Sequence, residues 1–411
     1  MVDDTGSRRV AAVGKSTAMT RKIAGAGRVA RARSLNQSKT SSSPQRVLVL
    51  QGGGALGAYQ AGVFQALQEA EMDLDWVIGT SIGAINAALI TGNTPENRLG
   101  RLQAFWTRMR HEHPFSDWWS AFLGAAGVNL GIMARGLPNF FVPNPLALFG
   151  IHQHYGADQA SFYSTAPLRE TLTELVDFEY LNAGHTRLTV GAVNARTGDM
   201  RYFDSRHMRL GAEHIMASGA LPPAFPAIVI EGEPYWDGGI YSNTPVEVVF
   251  DDQPRHDSLI FSVNMWQPQG PAPETIWQVL GRQKEIQYSS RGLSHVARQQ
   301  QLHRLRHVIR ELAKRLPEGQ LGDSRVRELT SYGCGTTMHL IRLLAPRLGG
   351  EDHTKDIDFS PAGIETRWRA GYENAGRAIA RQPWQCEVNP LQGVLIHEAN
   401  EWNGERDGRA V

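Results

Sequence analysis

Twice near its start the chain repeats one arrangement: an apolar run, an abrupt glycine connection, then apolar residues at helical spacing. Val47-Leu48-Val49-Leu50 runs into Gly52, Gly53, Gly54 and Gly57, and then into Tyr59, Val63, Ala66, Leu67 and Ala70. Trp76-Val77-Ile78 runs into Gly79-Thr80-Ser81-Ile82-Gly83; Ile82, Ile85 and Leu89 then share one helical face, and Gly92-Asn93 is the stop. A continuous apolar run is the mark of a strand buried on both faces. Strand, helix, strand and helix joined this tightly require parallel strands with helices on the sheet's faces. The alternation resumes at Leu188-Thr189-Val190, near Ile215, at Ile228-Val229-Ile230 and at Leu259-Ile260-Phe261-Ser262-Val263. The fold expected is a three-layer α/β/α arrangement around a mostly parallel central sheet, followed by a helical C-terminal region.

Composition excludes several classes. Among 411 residues, 41% are hydrophobic and 20% charged, enough for a sizeable core and too apolar for global disorder. Forty-two basic residues face forty-one acidic ones, so the net charge of +1 exerts no global pull toward nucleic acid or an anionic membrane. Two cysteines, Cys334 and Cys386, exclude a disulfide scaffold and a cysteine-only zinc site. The longest uncharged apolar stretch, Trp118 to Ala134, has 17 residues and contains three glycines, short of the ~20 needed to cross a bilayer. No secretory signal is apparent, and the expected location is cytoplasmic.

Four segments stand outside the α/β pattern. Residues 1–44 hold nine basic side chains and no acid after Asp4; they read as a disordered tail, solvated or weakly adhesive to anionic lipid. Residues 106–163 are crowded with aromatics, among them Trp106, Trp118, Phe140, Phe141 and Tyr163, and read either as an extra core layer or as an apolar lid. Residues 266–400 turn helical. Ile286, Leu293, Val296, Leu302, Leu305 and Leu312 recur at mostly three- and four-residue steps, and nine basic residues lie between Arg282 and Arg315. That stretch is an amphipathic basic helix or helix pair, packed on the core or lying at a membrane interface. Ser360-Pro361 opens a further helix as N-cap and N1. Residues 401–411 complete the chain as a flexible tail.

Three motifs carry chemistry. Gly79-Thr80-Ser81-Ile82-Gly83 is a G-x-S-x-G between a strand and a helix, the arrangement of a nucleophile elbow. Small neighbours let the turn close sharply and push the hydroxyl out at a helix N-terminus, where developing negative charge is favoured; a plain strand-to-helix turn is the alternative. Gly52-Gly53-Gly54-Ala55-Leu56-Gly57 fits a dinucleotide turn, G-x-G-x-x-G, or an oxyanion hole of bare amides. The first reading wants an acid at the end of the next strand, whereas Asp73 and Asp75 precede it. Trp236-Asp237-Gly238-Gly239 is a turn or the site of a catalytic carboxylate.

In this order and spacing, the three motifs resemble the patatin-like phospholipases across about 46–265; Ala217-Ser218-Gly219-Ala220-Leu221-Pro222-Pro223-Ala224-Phe225 is similar to the family's segment before its aspartate. The helical region resembles an extension of one bacterial subgroup. The resemblance implies a lipid acyl hydrolase with Ser81 as nucleophile, Asp237 as its proton acceptor, and Gly52, Gly53 and Gly54 as oxyanion donors. Gly57, Gly79, Gly83, Gly238 and Gly239 would support the motifs, with no metal and no cofactor. Its partner would be an acyl lipid, with peripheral contact to an anionic surface and no nucleic acid. Leu56 stands where the family often has Arg or Lys, which leaves a preference for charged phospholipids less secure. Two rivals are a Ser-His-acid triad drawing on the late His397 and a scaffold that binds lipid or protein without turnover.

Overall fold

In strand β1 (Gln45–Leu50) the side chains divide between two cores. Val47 and Val49 join Ile260 and Leu340 on one face, while Leu48 and Leu50 join Phe261 and Ile341 on the other. All four β1 residues are fully buried, each stabilising the fold by about 1.5–3 kcal/mol. The computed structural model describes residues 43–110, 135–150, 152–349, 351 and 353–399. The expectations for residues 1–42, for the middle of the aromatic segment (111–134, with Trp118, Trp119 and Phe122) and for the C-terminal tail lie outside the described residues.

The remaining strands are β2 (Trp76–Gly79), β3 (Val142–Pro143), β4 (Tyr163–Ser164), β5 (Arg187–Asn194), β6 (Met200–Asp204), β7 (Ile228–Ile230), β8 (Glu233–Asp237), β9 (Ser258–Asn264), β10 (Met338–Leu344) and β11 (Val394–Glu398). The helices are α1 (Ala58–Glu69), α2 (Ile82–Thr91), α3 (Pro95–Arg108), α4 (Ala166–Leu175), α5 (Phe178–Asn182), α6 (Ala212–Ser218), α7 (Glu247–Asp251), α8 (Ile276–Ala313), α9 (Glu318–Leu321), α10 (Ser324–Ser331) and α11 (Pro361–Arg381). The central sheet runs β11-β10-β9-β1-β2-β5-β8-β7, with β6 also paired to β5. From β11 to β5 every pairing is parallel; β6 and β8 run antiparallel to β5, and β7 to β8. The mostly parallel sheet between helices agrees with the sequence expectation. On the antiparallel flank the run Ile228-Val229-Ile230 marked β7 but not its direction, and β6 and β8, which carries Asp237, were not legible in the apolar runs.

The C-terminal region is largely helical, as expected, and α8 is a single helix of 38 residues rather than a pair. Its buried stripe is Glu285, Ser289, Val296, Gln299, His303 and His307, whereas Ile286, Leu302, Leu305 and Leu312 point outward. Most of the apolar period therefore faces outward, Val296 excepted, and the buried stripe is mainly polar. The same region also supplies β10 and β11, so the sheet runs across the 265/266 boundary. Helix α11 lies against α1 so closely that a Cβ at Gly62 would fall 1.8 Å from the Trp368 carbonyl oxygen. No helix among the described residues is long and apolar enough to cross a membrane.

Candidate active site

Strand β2 ends at Gly79 and α2 begins at Ile82, leaving Thr80 and Ser81 to turn the chain. Ser81 takes φ 57° and ψ −126°, a left-handed conformation that strains any residue with a side chain by about 1–3 kcal/mol. The surroundings hold it there. The Ser81 N–H donates to the Ser218 carbonyl and to the Ser218 Oγ, both at 3.1 Å, and the Ser218 hydroxyl donates to the Gly191 carbonyl at 2.6 Å. The turn is sharp enough that Gly79 and Gly83 meet: a Cβ on Gly79 would lie 2.3 Å from the Gly83 carbonyl oxygen. The elbow geometry thus explains the glycines on either side of the serine.

Asp237 arrives from the opposite flank. It ends β8, whose register pairs it with Ala192 of β5, and β5 in turn borders β2. This places the carboxylate beside Ser81, whose side chain favours its charged form. Its second partner is the Gly239 N–H, which donates to Oδ1 at 2.7 Å. Asp237 is 2% exposed. Burial pushes its pKa up from 3.8 to about 6, against the opposing pull of the Ser81 side chain and the Gly239 N–H.

The glycine loop lies alongside. Gly52 approaches Ser81 and Asn243 closely, and its peptide is clamped: its N–H donates to the Asn243 carbonyl at 3.2 Å, and its own carbonyl accepts from Asn243 Nδ2 at 3.1 Å and from Trp266 Nε1 at 2.8 Å. Its amide is therefore engaged, unlike the free donor that the family resemblance implied. Among the described residues neither the Gly53 nor the Gly54 N–H has a hydrogen-bond partner, so the pair of available donors is Gly53 and Gly54. Gly54 adopts φ +55°, and Gly57 packs against Ile82 at the start of α2. Gly238 lies against the Gly191 backbone.

Four residues that no motif singled out organise this loop. The Gln51 side chain accepts from the Met265 and Trp266 N–H groups and donates to Thr244 Oγ1 at 2.7 Å and to the Tyr288 carbonyl of α8 at 3.2 Å. Asn243 and Trp266 fix Gly52, and Ser218 fixes Ser81. Isolated polar residues at such separations leave no sequence pattern, although Ser218 falls within the segment already noted before Asp237. Leu56 is buried, and the Lys355 and Arg367 side chains from the C-terminal region border the same small cavity.

Ser81, Asp237 and the glycine loop open into a cavity of about 210 Å³ walled mainly by apolar side chains, including Ile85, Phe140, Phe141, Tyr163, Phe225 and Phe359. Phe141 and Phe225 sit 5.3 Å apart, and Phe141 and Tyr163 4.9 Å apart. Part of the aromatic segment is thus cavity wall, while Trp106 stacks on Phe359 in the core and Phe149 is exposed. Tyr288 also lines the cavity; burial and the nearby Asp237 push its hydroxyl up to about 12, so it stays neutral. No histidine lines the cavity among the described residues. His397 sits on β11, four strands from β2, beside His339. His397 therefore cannot serve as the base of a triad, because a strand four places away across the sheet cannot deliver it to Ser81.

A family model described as patatin-like phospholipase matches residues 48–250, and one described as patatin phospholipase matches residues 286–391. A lysophospholipase of Aspergillus terreus is 48% identical over 63 residues, covering 15% of this chain and 4% of that protein. A patatin-like phospholipase domain-containing protein of Caenorhabditis elegans is 46% identical over 66 residues, covering 16% and 6%. The matched stretch therefore spans a small fraction of either relative. Among solved structures, VipD from Legionella pneumophila aligns with a TM-score of 0.36 at 16% identity, over 82% of this chain and 67% of its own. The type III effector ExoU aligns with 0.34 at 14%, over 82% and 53%. The two family models cover both the segment that builds the glycine turns and the helical region behind it, and on that ground the chain belongs to the patatin-like phospholipase family, a family of lipid hydrolases.

Proposed function

We propose that the protein hydrolyses carboxylic esters of acyl lipids through a Ser81–Asp237 dyad. The observation that carries this reading is the Ser81–Asp237 pair lining one apolar cavity, the serine on a strained turn and the aspartate buried. Asp237 takes the hydroxyl proton as Ser81 Oγ attacks the acyl carbonyl, and the Gly53 and Gly54 N–H groups receive the negative charge on the carbonyl oxygen. Each such donor typically lowers the barrier by ~2.7–4 kcal/mol. When the tetrahedral adduct collapses, the ester oxygen leaves with the proton from Asp237, and the acyl group stays on Ser81. Water then gives its proton to the same carboxylate and attacks the acyl-enzyme; fatty acid departs and Ser81 recovers its proton. A carboxylate near pKa ~4 is a weak base, and the shift to about 6 brings Asp237 closer to the working pH while leaving it mostly ionised at neutrality.

The cavity wall suits an acyl chain better than a charged headgroup. The outward leucines of α8 and the basic residues around them support an encounter with an anionic lipid surface, to which the tail 1–44 would add charge. A fluorophosphonate probe tests the chemistry. The wild type should be labelled on Ser81 and should release free acid from purified lipids, and Ser81→Ala should do neither. A folded wild type that takes no label and releases no acid would favour a binding scaffold instead.

A further inference from the structure

Far from the cavity, at the outer edge of the sheet, β10, β11 and the loop after α11 bring three ligand-bearing side chains together. His339 Nδ1 lies 3.1 Å from His397 Nε2, and the two rings are nearly parallel, 12° apart, with centroids 5.3 Å from one another. The ligand atoms of His339, His397 and Cys386 all fall within 4.8 Å of one another. The placement follows from the pleat. In a strand, residues two apart share a face, and register partners on adjacent strands share it too. Ile341 pairs with Phe261 on one side and with His397 on the other, so His339, Ile341, His397 and Phe261 point the same way. Trp384 packs its ring edge-on against Phe261 at 5.8 Å, which seats the loop on that same face and brings Cys386, two residues later, over the histidines. Both histidines are half-buried and Cys386 is exposed, so the cluster is open to ions in solution.

We propose that His339, Cys386 and His397 form a binding site for a zinc-type divalent cation, with solvent in the fourth position. Two imidazoles and a thiolate match the donors zinc prefers, whereas magnesium and calcium want the oxygen ligands that this trio lacks. Tetrahedral zinc with bonds of about 2.0–2.3 Å sets its ligand atoms roughly 3.3–3.7 Å apart. The histidine pair is already near that spacing, and the exposed Cys386 loop needs only a small adjustment. On binding, Cys386 gives its thiol proton to solvent and each imidazole donates a lone pair; no electron changes hands. The ion ties the crossover between α11 and β11 to β10 and pins a strand that, among the described residues, has a neighbour on one side only. The cysteine count excluded a cysteine-only site but not a mixed one, and ligands at 339, 386 and 397 form no compact motif.

The site stands apart from the hydrolytic reading: β11 is four strands from β2, about 19 Å at the usual strand spacing. Cobalt(II) is the probe. The untagged full-length chain, stripped with chelator and titrated with Co²⁺, should bind one equivalent with a sulfur-to-cobalt charge-transfer band and visible bands of tetrahedral intensity. Zn²⁺ should displace the cobalt and raise the melting temperature. Cys386→Ser, at an exposed position that does not threaten folding, should abolish the charge-transfer band and weaken binding by more than tenfold. His397→Ala should do the same, while Cys334→Ser should keep the band and ester turnover should survive in all three. Absence of saturable binding, or a band that persists in Cys386→Ser, would overturn the proposal and leave the two imidazoles as a simple hydrogen-bonded pair.

Discussion

At Ser81 and Asp237 two local penalties coincide. A side chain at φ 57° and a carboxylate with 2% exposure each oppose folding, and each is held in place by a neighbouring group, Ser218 on the serine amide and the Gly239 N–H on the aspartate. The aspartate penalty has a consequence for pH. A buried carboxyl with a raised pKa is protonated, and so useless as a base, below that value. Activity should therefore fall as pH drops through about 6, with the loss following protonation of Asp237. The ascending limb of kcat/KM on a soluble ester, measured between about pH 4 and 8, checks this; a limb near ~4 would mean that the carboxylate is solvated during turnover. Ser81, Asp237 and the glycines could be read from the sequence because each is tied to a turn whose backbone requires small residues. Gln51, Asn243 and Trp266 could not, because a side chain that bonds to distant backbone needs only the right position in space.

Among the elements, the apolar runs located β1, β2, β5 and β9, whose two faces are both covered. They missed β10 and β11, where His339, Arg342, His397 and Glu398 interrupt the run at the sheet's edge and the flanking polar groups pair with one another, as Arg342 does with Glu398. In α8 the period was visible but its direction was not, since helical spacing fixes a stripe without saying whether protein or solvent covers it. Helices α1 and α11 are in backbone contact. Gly62 and Gly371 let the backbones touch, and a Cβ at Gly371 would lie 2.0 Å from the Tyr59 carbonyl oxygen. Gly62→Val should force the helices apart and destabilise the fold by about 2 kcal/mol or more, visible as a several-degree drop in melting temperature. An unchanged melt would show that α11 is not firmly seated on the core.

Ser81 and Asp237 lie between the glycine loop and the aromatic wall, and α8 reaches back to the loop through the Tyr288 carbonyl held by Gln51. The C-terminal region thus completes the sheet and also braces the candidate donors, which a boundary drawn by composition at 265/266 did not convey. On its outer side α8 presents Trp277, Leu305 and Leu312, 62%, 60% and 59% exposed, among a surplus of cations. Charge attraction of this kind weakens as salt rises. Leu305→Glu with Leu312→Glu should reduce sedimentation with phosphatidylglycerol vesicles at low salt several-fold while leaving turnover of a soluble ester intact. Equal binding by the variant would remove α8 as the lipid-facing surface.

Catalysis as proposed requires Ser81 and Asp237 to act together. Turnover of one ester by Ser81→Ala, Asp237→Asn and the double variant, each confirmed folded, tests this most directly. Each single change should lower kcat by roughly 10⁴-fold or more, and the double should be no worse than either, because removing one member of a working pair disables the other. Near-normal turnover by Asp237→Asn would contradict it.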